Sequence, residues 1–374
     1  MRIGFDAKRA FLNKSGLGSY SRNLISALCT NFPESEFVLY TTGINSDLFN
    51  PSFANARVRT PETLIQRMIH PFWRSFGIPK LLISDRIDIY HGLSHEIPFS
   101  FPLEKVKSVV TIHDLIFLRF PGLYTAFDRA IYERKFRYAC QVADRIIAIS
   151  RQTADDIVEF FGTDRSKIEV VYQGCHPGFY QPLSSAEKDA VRRKFNLPDS
   201  YILYVGTIEE RKNLLSLARA VHEGNIDLPL VVIGKKTAYS SKVVGFLEKH
   251  RSVRVFFHEQ TANPDLPGFY QMADVFVYPS VYEGFGVPIL EALASRTPVI
   301  TSRGGCFAEA GGPSTLYVDP MNPQEIAEAI LRVTRDPDLR KKMTETGYMH
   351  ASGFRQEEVA GKVMNIYKKI LQNA

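Results

Sequence analysis

Two glutamates, Glu283 and Glu291, enclose Gly284, Phe285, Gly286, Val287 and Pro288 in the stretch EGFGVPILE. DVFVYPS before it reads as a strand and PVITS after it as another, so ILEALAS is the crossover helix, with Pro288 suited to its first position. The first-turn amides then face back toward Gly284–Val287 at the positive end of the helix dipole, an anion site worth about 0.3–2 kcal/mol. Glycines let a ligand approach that backbone closely. A bare anion would be repelled by flanking carboxylates, whereas a molecule with phosphate in its middle and hydroxyls at both ends would not. Each carboxylate can accept hydrogen bonds from a diol. The pattern suits a sugar–diphosphate–ribose; the alternative is a glycine-rich turn whose glutamate caps its helix.

A second loop, VGTIEERKNLL, follows a strand ending at Gly206 and carries Thr207, Arg211, Lys212 and Asn213. Adjacent Arg and Lys at a strand's carboxyl end can neutralise a diphosphate, at roughly 1.5–3 kcal/mol for each charge-assisted hydrogen bond. The alternative is a solvated turn in which they pair with Glu209 and Glu210. Nearer the N-terminus, KSGLGSYSRNL sets Gly16 and Gly18 before a helix, a weak phosphate-loop pattern. TIHDL puts His113 at a strand end, and HGLSHEIPF carries His91, His95 and Glu96, too polar for a core turn. Their spacing matches no HExxH pattern, so no metal site is expected.

These loops need a scaffold of parallel α/β type. Strands RIGF, EFVLYTT, DIYHGL, SVVTIHD, RIIAIS and IEVVYQ alternate with helical patterns, and YILYVG, LPLVVIG, VRVFFHE, DVFVYPS, TPVITS and TLYVD form a second set. QGCHPGFYQPLSS, residues 173–185, breaks the pattern with prolines and glycines and is expected to link two domains. The fold class is α/β: two Rossmann-like, doubly wound parallel-sheet domains facing a central cleft, with ligands outside the strands' carboxyl ends.

At 374 residues the chain is long enough for two such domains, and 45% apolar with 23% charged residues excludes a disordered or fibrous protein. No apolar run approaches the ~18 residues of a membrane span, and MRIGFDAKRAF reads as a first strand rather than a leader. Cys29, Cys140, Cys175 and Cys306 are scattered, as expected of thiols in a reducing, cytoplasmic setting. A net charge of +6 favours an anionic partner. Arg57, Arg59, Arg67, Arg74 and Lys80 share residues 57–80 with Phe72, Trp73 and Phe76. On a helix that mixture suits peripheral contact with the anionic inner face of the cytoplasmic membrane; the alternative is a half-buried surface helix. No second basic, aromatic stripe appears, so nucleic acid is not an expected partner.

Taken together, EGFGVPILEALASRTPVI, GTIEERKNL, GLGSYSRNL, TIHDL and the strand order resemble the family 4 retaining glycosyltransferases of GT-B fold, over essentially the whole chain. GTIEERKNL with HGLSHEIPF looks most like bacterial mannosyltransferases that extend O-antigen and other surface polysaccharides. The resemblance implies an N-terminal acceptor domain at 1–175, with helix 355–374 packing back on it, and a C-terminal nucleotide-sugar domain at 176–354. It implies Glu283 at the donor sugar hydroxyls, Glu291 at the ribose diol, Arg211 and Lys212 at the diphosphate, and the Gly284, Phe285, Gly286 and Val287 backbone at sugar and phosphate. Gly16, Gly18, Gly206 and Thr207 would border the phosphates, Lys235 the base and His113 the sugar's C6 end, with His95 and Glu96 toward the acceptor. Many relatives carry arginine where this chain has Thr207, which shifts phosphate binding onto Arg211 and Lys212.

The implied reaction is transfer of a hexose, mannose from GDP-mannose, to a glycan or lipid-linked acceptor with retention, without cofactor or metal. Rival readings are a UDP-sugar-dependent transferase of the same fold and a non-catalytic sugar-nucleotide-binding partner of a polysaccharide-assembly complex.

Overall fold

Short, continuously apolar runs build both sheets. The computed structural model describes residues 1–63, 72–259 and 264–372. It divides into Met1–Gly174 with Gln356–Ala374, and Cys175–Arg355; the limits expected from sequence are 175/176 and 354/355.

The first unit holds seven strands: β1 (Arg2–Asp6), β2 (Glu36–Tyr40), β3 (Ala56–Arg59), β4 (Ile89–Gly92), β5 (Lys107–Ile112), β6 (Arg145–Ala148) and β7 (Ile168–Val170). All pair in parallel, in the order β3-β2-β1-β4-β5-β6-β7. Strand β3 is absent from the sequence expectation. Its ARVR alternates apolar and charged residues but is only four residues long and half arginine; among the described residues it is an edge strand paired with β2, and an edge tolerates charge. Helix Gly16–Asn31 and the last helix, Gln356–Gln372, pack together on this sheet through Leu24, Leu28, Val363 and Tyr367.

Two local expectations change here. Gly16 and Gly18 do not precede the helix; they open it, after a short helix Lys8–Leu12. Residues 57–80 are not one helix. Arg57 and Arg59 lie in β3, Trp73–Gly77 form a π-helical turn running into helix Ile78–Ser84, and Arg67 lies outside the described residues. Trp73 is buried, while Phe72 and Phe76 stack on each other in solvent, 5.7 Å apart.

The second unit holds β8 (Ile202–Val205), β9 (Leu230–Ile233), β10 (Val255–His258), β11 (Val275–Tyr278), β12 (Val299–Ser302) and β13 (Leu316–Val318). These six parallel strands are those expected, in the order β10-β9-β8-β11-β12-β13. Strands β8, β9, β11 and β12 are almost wholly buried, as befits a sheet covered on both faces.

In each unit the strand order turns about one pair, β1 with β4 and β8 with β11. The crevice beyond the carboxyl ends of such a pair is where open α/β sheets bind ligands.

Candidate active site

The loops after β8 and β11 flank the turning point of the second unit. After β8 the chain makes a 3-10 turn, Glu210–Lys212, and then starts helix Leu214–Glu223. Asn213 sets that start: its φ is 57°, a left-handed conformation asparagine tolerates, and its amide donates to Pro320 O at 2.6 Å. The loop after β11 ends at Gly286, with φ 104°, before helix Val287–Ala294. That φ is strained for any side chain, and an added Cβ would also stand 3.1 Å from Ile289. Pro288 occupies the second helical position, not the expected first; Val287 takes the first. The Val281 amide donates to Arg211 O at 2.8 Å, fastening one loop to the other.

Across this junction Glu283 gathers three donors on one oxygen. Its Oε1 lies 2.6 Å from Lys212 Nζ and 2.8 Å from Arg211 Nη1, and accepts from Tyr278 Oη at 3.0 Å. Lys212 Nζ also donates to Tyr278 Oη at 2.5 Å and stands 4.9 Å from the centre of that ring. Arg211 further pairs with Glu209 at 2.6 Å and donates to Tyr282 O. Burial would push the Glu283 carboxyl up, but Lys212 and Arg211 more than offset this and hold it down at about 2. Breaking such a buried set by removing one partner is costly because the remaining charge stays desolvated. Of the alternative reading, a solvated turn paired with Glu209 and Glu210, only the Arg211–Glu209 pair is present among the described residues, and it coexists with the cluster on a largely buried side chain. Cys306 supports the loop, its buried thiol donating to Glu283 O.

Glu291 behaves in the opposite way. It stands half-buried on helix Val287–Ala294 and accepts from Tyr270 Oη at 2.9 Å. Burial raises its carboxyl to about 7, the Tyr270 hydrogen bond opposing this only in part. Two glutamates on one loop-and-helix segment are thus driven apart, one firmly ionised and one titrating near neutrality. Phe285 is buried, its ring 5.9 Å from that of Phe354, so its side chain serves packing. Gly206 and Thr207 lie in the loop beside Lys212, and Lys235 is exposed, its carbonyl accepting from the Ile208 amide at 2.9 Å.

The remaining candidates lie in the first unit. An added Cβ on Gly18 would stand 1.9 Å from Asn13 O, so this glycine allows a close backbone approach, whereas Gly16 faces open space. His113 is buried; its Nε2 donates to Leu93 O at 2.9 Å and its Nδ1 accepts from Gln173 Nε2 at 3.0 Å. Burial lowers it to about 4 and keeps it neutral. His95 is buried flat against Phe136, rings 4.3 Å apart, and accepts from the His113 amide. Glu96 is reached by Arg74 at 3.1 Å and Lys135 at 3.4 Å. His91 turns away from Glu96's partners, bonding Tyr367 and Thr111 at 2.6 and 2.8 Å.

Sequence reasoning misses Tyr278 and Tyr270. Tyr278 closes the strand VFVY directly before the glutamate loop, and a hydroxyl at a strand's carboxyl end is the signal that could have identified it. Tyr270 lies in helix Leu266–Met272 and carries no such local cue.

Comparison with known proteins extends this picture. Residues 15–178 match the Glycosyltransferase Family 4 model and residues 185–350 the model for glycosyl transferases group 1. An uncharacterized glycosyltransferase of Methanocaldococcus jannaschii is 30% identical, over 71% of this chain and 70% of its own. The chain is a family 4 glycosyltransferase. This glycosyltransferase is also 28% identical to O-antigen chain mannosyltransferase B of Escherichia coli, over 98% of this chain and 100% of that protein. In fold, the glycosyltransferase matches Anabaena HepE, solved in complex with UDP-glucose, with a TM-score of 0.77 at 15% identity, covering 100% of both chains. The GT-B fold is thereby established.

Proposed function

We propose that this glycosyltransferase moves mannose from GDP-mannose, with retention, onto a glycan or lipid-linked acceptor in surface-polysaccharide assembly. The observation that carries the reading is the Glu283–Lys212–Arg211 cluster at the turning point of the second sheet. The near full-length similarity to an O-antigen mannosyltransferase supports the choice of sugar.

Both cations pair with Glu283. A donor diphosphate would draw Lys212 and Arg211 toward itself and release the carboxylate for the hydroxyls of the sugar. As the glycosidic bond breaks, negative charge grows on the leaving diphosphate. Preorganised donors aimed at developing charge are where an enzyme gains most; here they are Lys212, Arg211 and the first amides of helix Val287–Ala294. Tyr278 holds the ammonium and the carboxylate in register. Glu291 accepts from the ribose diol, and the roles given to Gly16, Gly18, Gly206, Thr207, Lys235, His113 and His95 follow the family resemblance. A sugar hydroxyl at His113 Nδ1 would have to displace Gln173. No metal enters this scheme, so turnover should persist in EDTA; loss of activity on chelation would refute it.

A UDP-sugar donor is the second reading, favoured by the UDP-glucose bound in the HepE structure. Release of nucleotide from GDP-mannose, UDP-glucose and ADP-glucose by the purified chain separates the two, and failure with all three would sink the transferase reading. A binding-only role predicts nucleotide-sugar affinity without any release.

A further inference from the structure

A pocket of about 380 Å³ lies within the second unit, at the end of the sheet opposite the Glu283 cluster. Its wall includes Gln271, just before β11 begins, and Arg296, just before β12 begins, whereas Lys212 and Glu283 follow strand ends. Lys188 of helix Ser185–Phe195 and Tyr348 of helix Pro337–Ser352 close the other sides. Its size falls in the ~300–1,000 Å³ range of small-molecule sites, and no carboxylate among the described residues lines it.

Arg296 stands where glycine is the usual choice. At the end of helix Val287–Ala294 its amide donates to Leu293 O at 3.1 Å, and the Thr297 amide to Ala292 O at 2.9 Å. This closing pattern needs a left-handed residue, and Arg296 supplies it with φ 59°, a strained conformation for any side chain. Strained positions gather at ligand clamps and switches. The Arg296 guanidinium lies over the Tyr348 ring, 3.9 Å from its centre. One face is thus occupied, while the N–H groups around its rim keep the fork that matches two phosphate oxygens. Neither Arg296 nor Lys188 pairs with a carboxylate among the described residues. Two uncompensated cations on one pocket wall select an anionic ligand.

The wall also offers acceptors. Ala294 and Ser295 line the pocket, and their carbonyls accept from no group among the described residues. The carboxyl end of a helix favours hydroxyl donors over a bare anion. Gln271 accepts from the Leu183 amide at 2.9 Å and donates to Gln181 O at 2.7 Å, which fixes the adjoining wall. Phe179 and Tyr180 are buried and Tyr348 is already stacked, so a nucleobase finds little open ring face.

We propose that this pocket is a second ligand site, taking a hexose phosphate with its phosphate on Arg296 and Lys188 and its hydroxyls on the Ala294 and Ser295 carbonyls. The proposal stands apart from the transferase reading, since none of these residues belongs to the Glu283 cluster.

Calorimetry on the full chain with mannose 1-phosphate, mannose 6-phosphate and glucose 6-phosphate tests it, with inorganic phosphate and free mannose as controls. At least one hexose phosphate should bind about tenfold more tightly than either control. Lys188→Met should weaken it about tenfold, as loss of one charge-assisted hydrogen bond does, and Lys188→Arg should restore it. Arg296→Gly should weaken it at least as much and still fold, because glycine takes this φ without strain. Lys212→Met should leave the affinity within twofold. The proposal is overturned if no hexose phosphate binds, if inorganic phosphate binds as tightly, or if Lys188→Met and Arg296→Gly change affinity less than twofold. Loss of binding in Lys212→Met would place the ligand in the donor site and overturn it too. Displacement by phosphatidylinositol vesicles would assign the pocket to a lipid headgroup, with the same consequence.

Discussion

Lys212 Nζ stands 2.6 Å from Glu283 Oε1, although 71 positions separate the two residues in the chain. Both flank the turning point of the second sheet, and each neutralises the other. Lys212→Ala and Arg211→Ala should therefore each lower turnover roughly 100- to 1,000-fold, the usual loss when one preorganised donor is removed. Steady-state kinetics with the sugar donor checks this. A tenfold or smaller effect would place the diphosphate elsewhere.

The same contact governs acid stability. A carboxyl held at about 2 against an ordinary 4.5 stabilises the fold above the higher value, and this contribution is lost as pH falls through the lower one. Lys212→Met should raise the Glu283 carboxyl and cost about 1–3 kcal/mol near neutral pH, with Arg211 still in place. Urea titrations at pH 7 and pH 3 should show the difference between variant and parent shrinking at the lower pH.

Glu291 gives a profile of opposite sign. Its carboxyl, raised to about 7, keeps a proton in the fold that the unfolded chain has already lost above about 4.5. Its contribution to stability thus falls between pH 5 and 7 and levels off above, and Glu291→Gln should remove about 1–3 kcal/mol of that slope. Nucleotide affinity should move the other way, rising from pH 6 to 8 as the carboxylate becomes available to the ribose diol. Calorimetric Kd values for GDP that stay flat over this range in the parent chain would count against Glu291 as the ribose ligand.

Arg57 and Arg59 illustrate what a linear sequence hides. Both reach the buried Asp85, at 3.2 and 2.6 Å, and Tyr40 donates to the same carboxylate at 2.9 Å. Arg57→Gln and Arg59→Gln should lower Tm, because each removes a partner of a buried charge, and neither should alter binding to vesicles. Membrane contact would instead depend on the exposed pair Phe72 and Phe76. Co-sedimentation with phosphatidylglycerol vesicles should fall on Phe72→Ser with Phe76→Ser and with added salt. Indifference to both would remove the membrane idea.

Much of the architecture was legible because buried parallel strands are apolar runs bounded by turn residues, and twelve such runs recur as strands. The strand at Ala56–Arg59 was not, since its arginines are held by Asp85 through tertiary contacts that local pattern does not encode. Likewise Glu283, Arg211 and Lys212 stood out as chemistry at strand ends, yet their mutual ion pairing did not. Tyr278 escaped notice as an ordinary strand aromatic, and only the fold reveals its hydroxyl between lysine and glutamate.

The central claim is that this cluster receives a GDP-linked mannose. Thermal denaturation of the full chain with GDP-mannose, UDP-glucose or ADP-glucose tests it most directly, since a ligand of the native state at 100 times its Kd stabilises by about 2.7 kcal/mol. GDP-mannose should raise Tm more than the other two, and Lys212→Met should abolish the rise. A larger shift with UDP-glucose, or a GDP-mannose shift that survives Lys212→Met, would contradict the account.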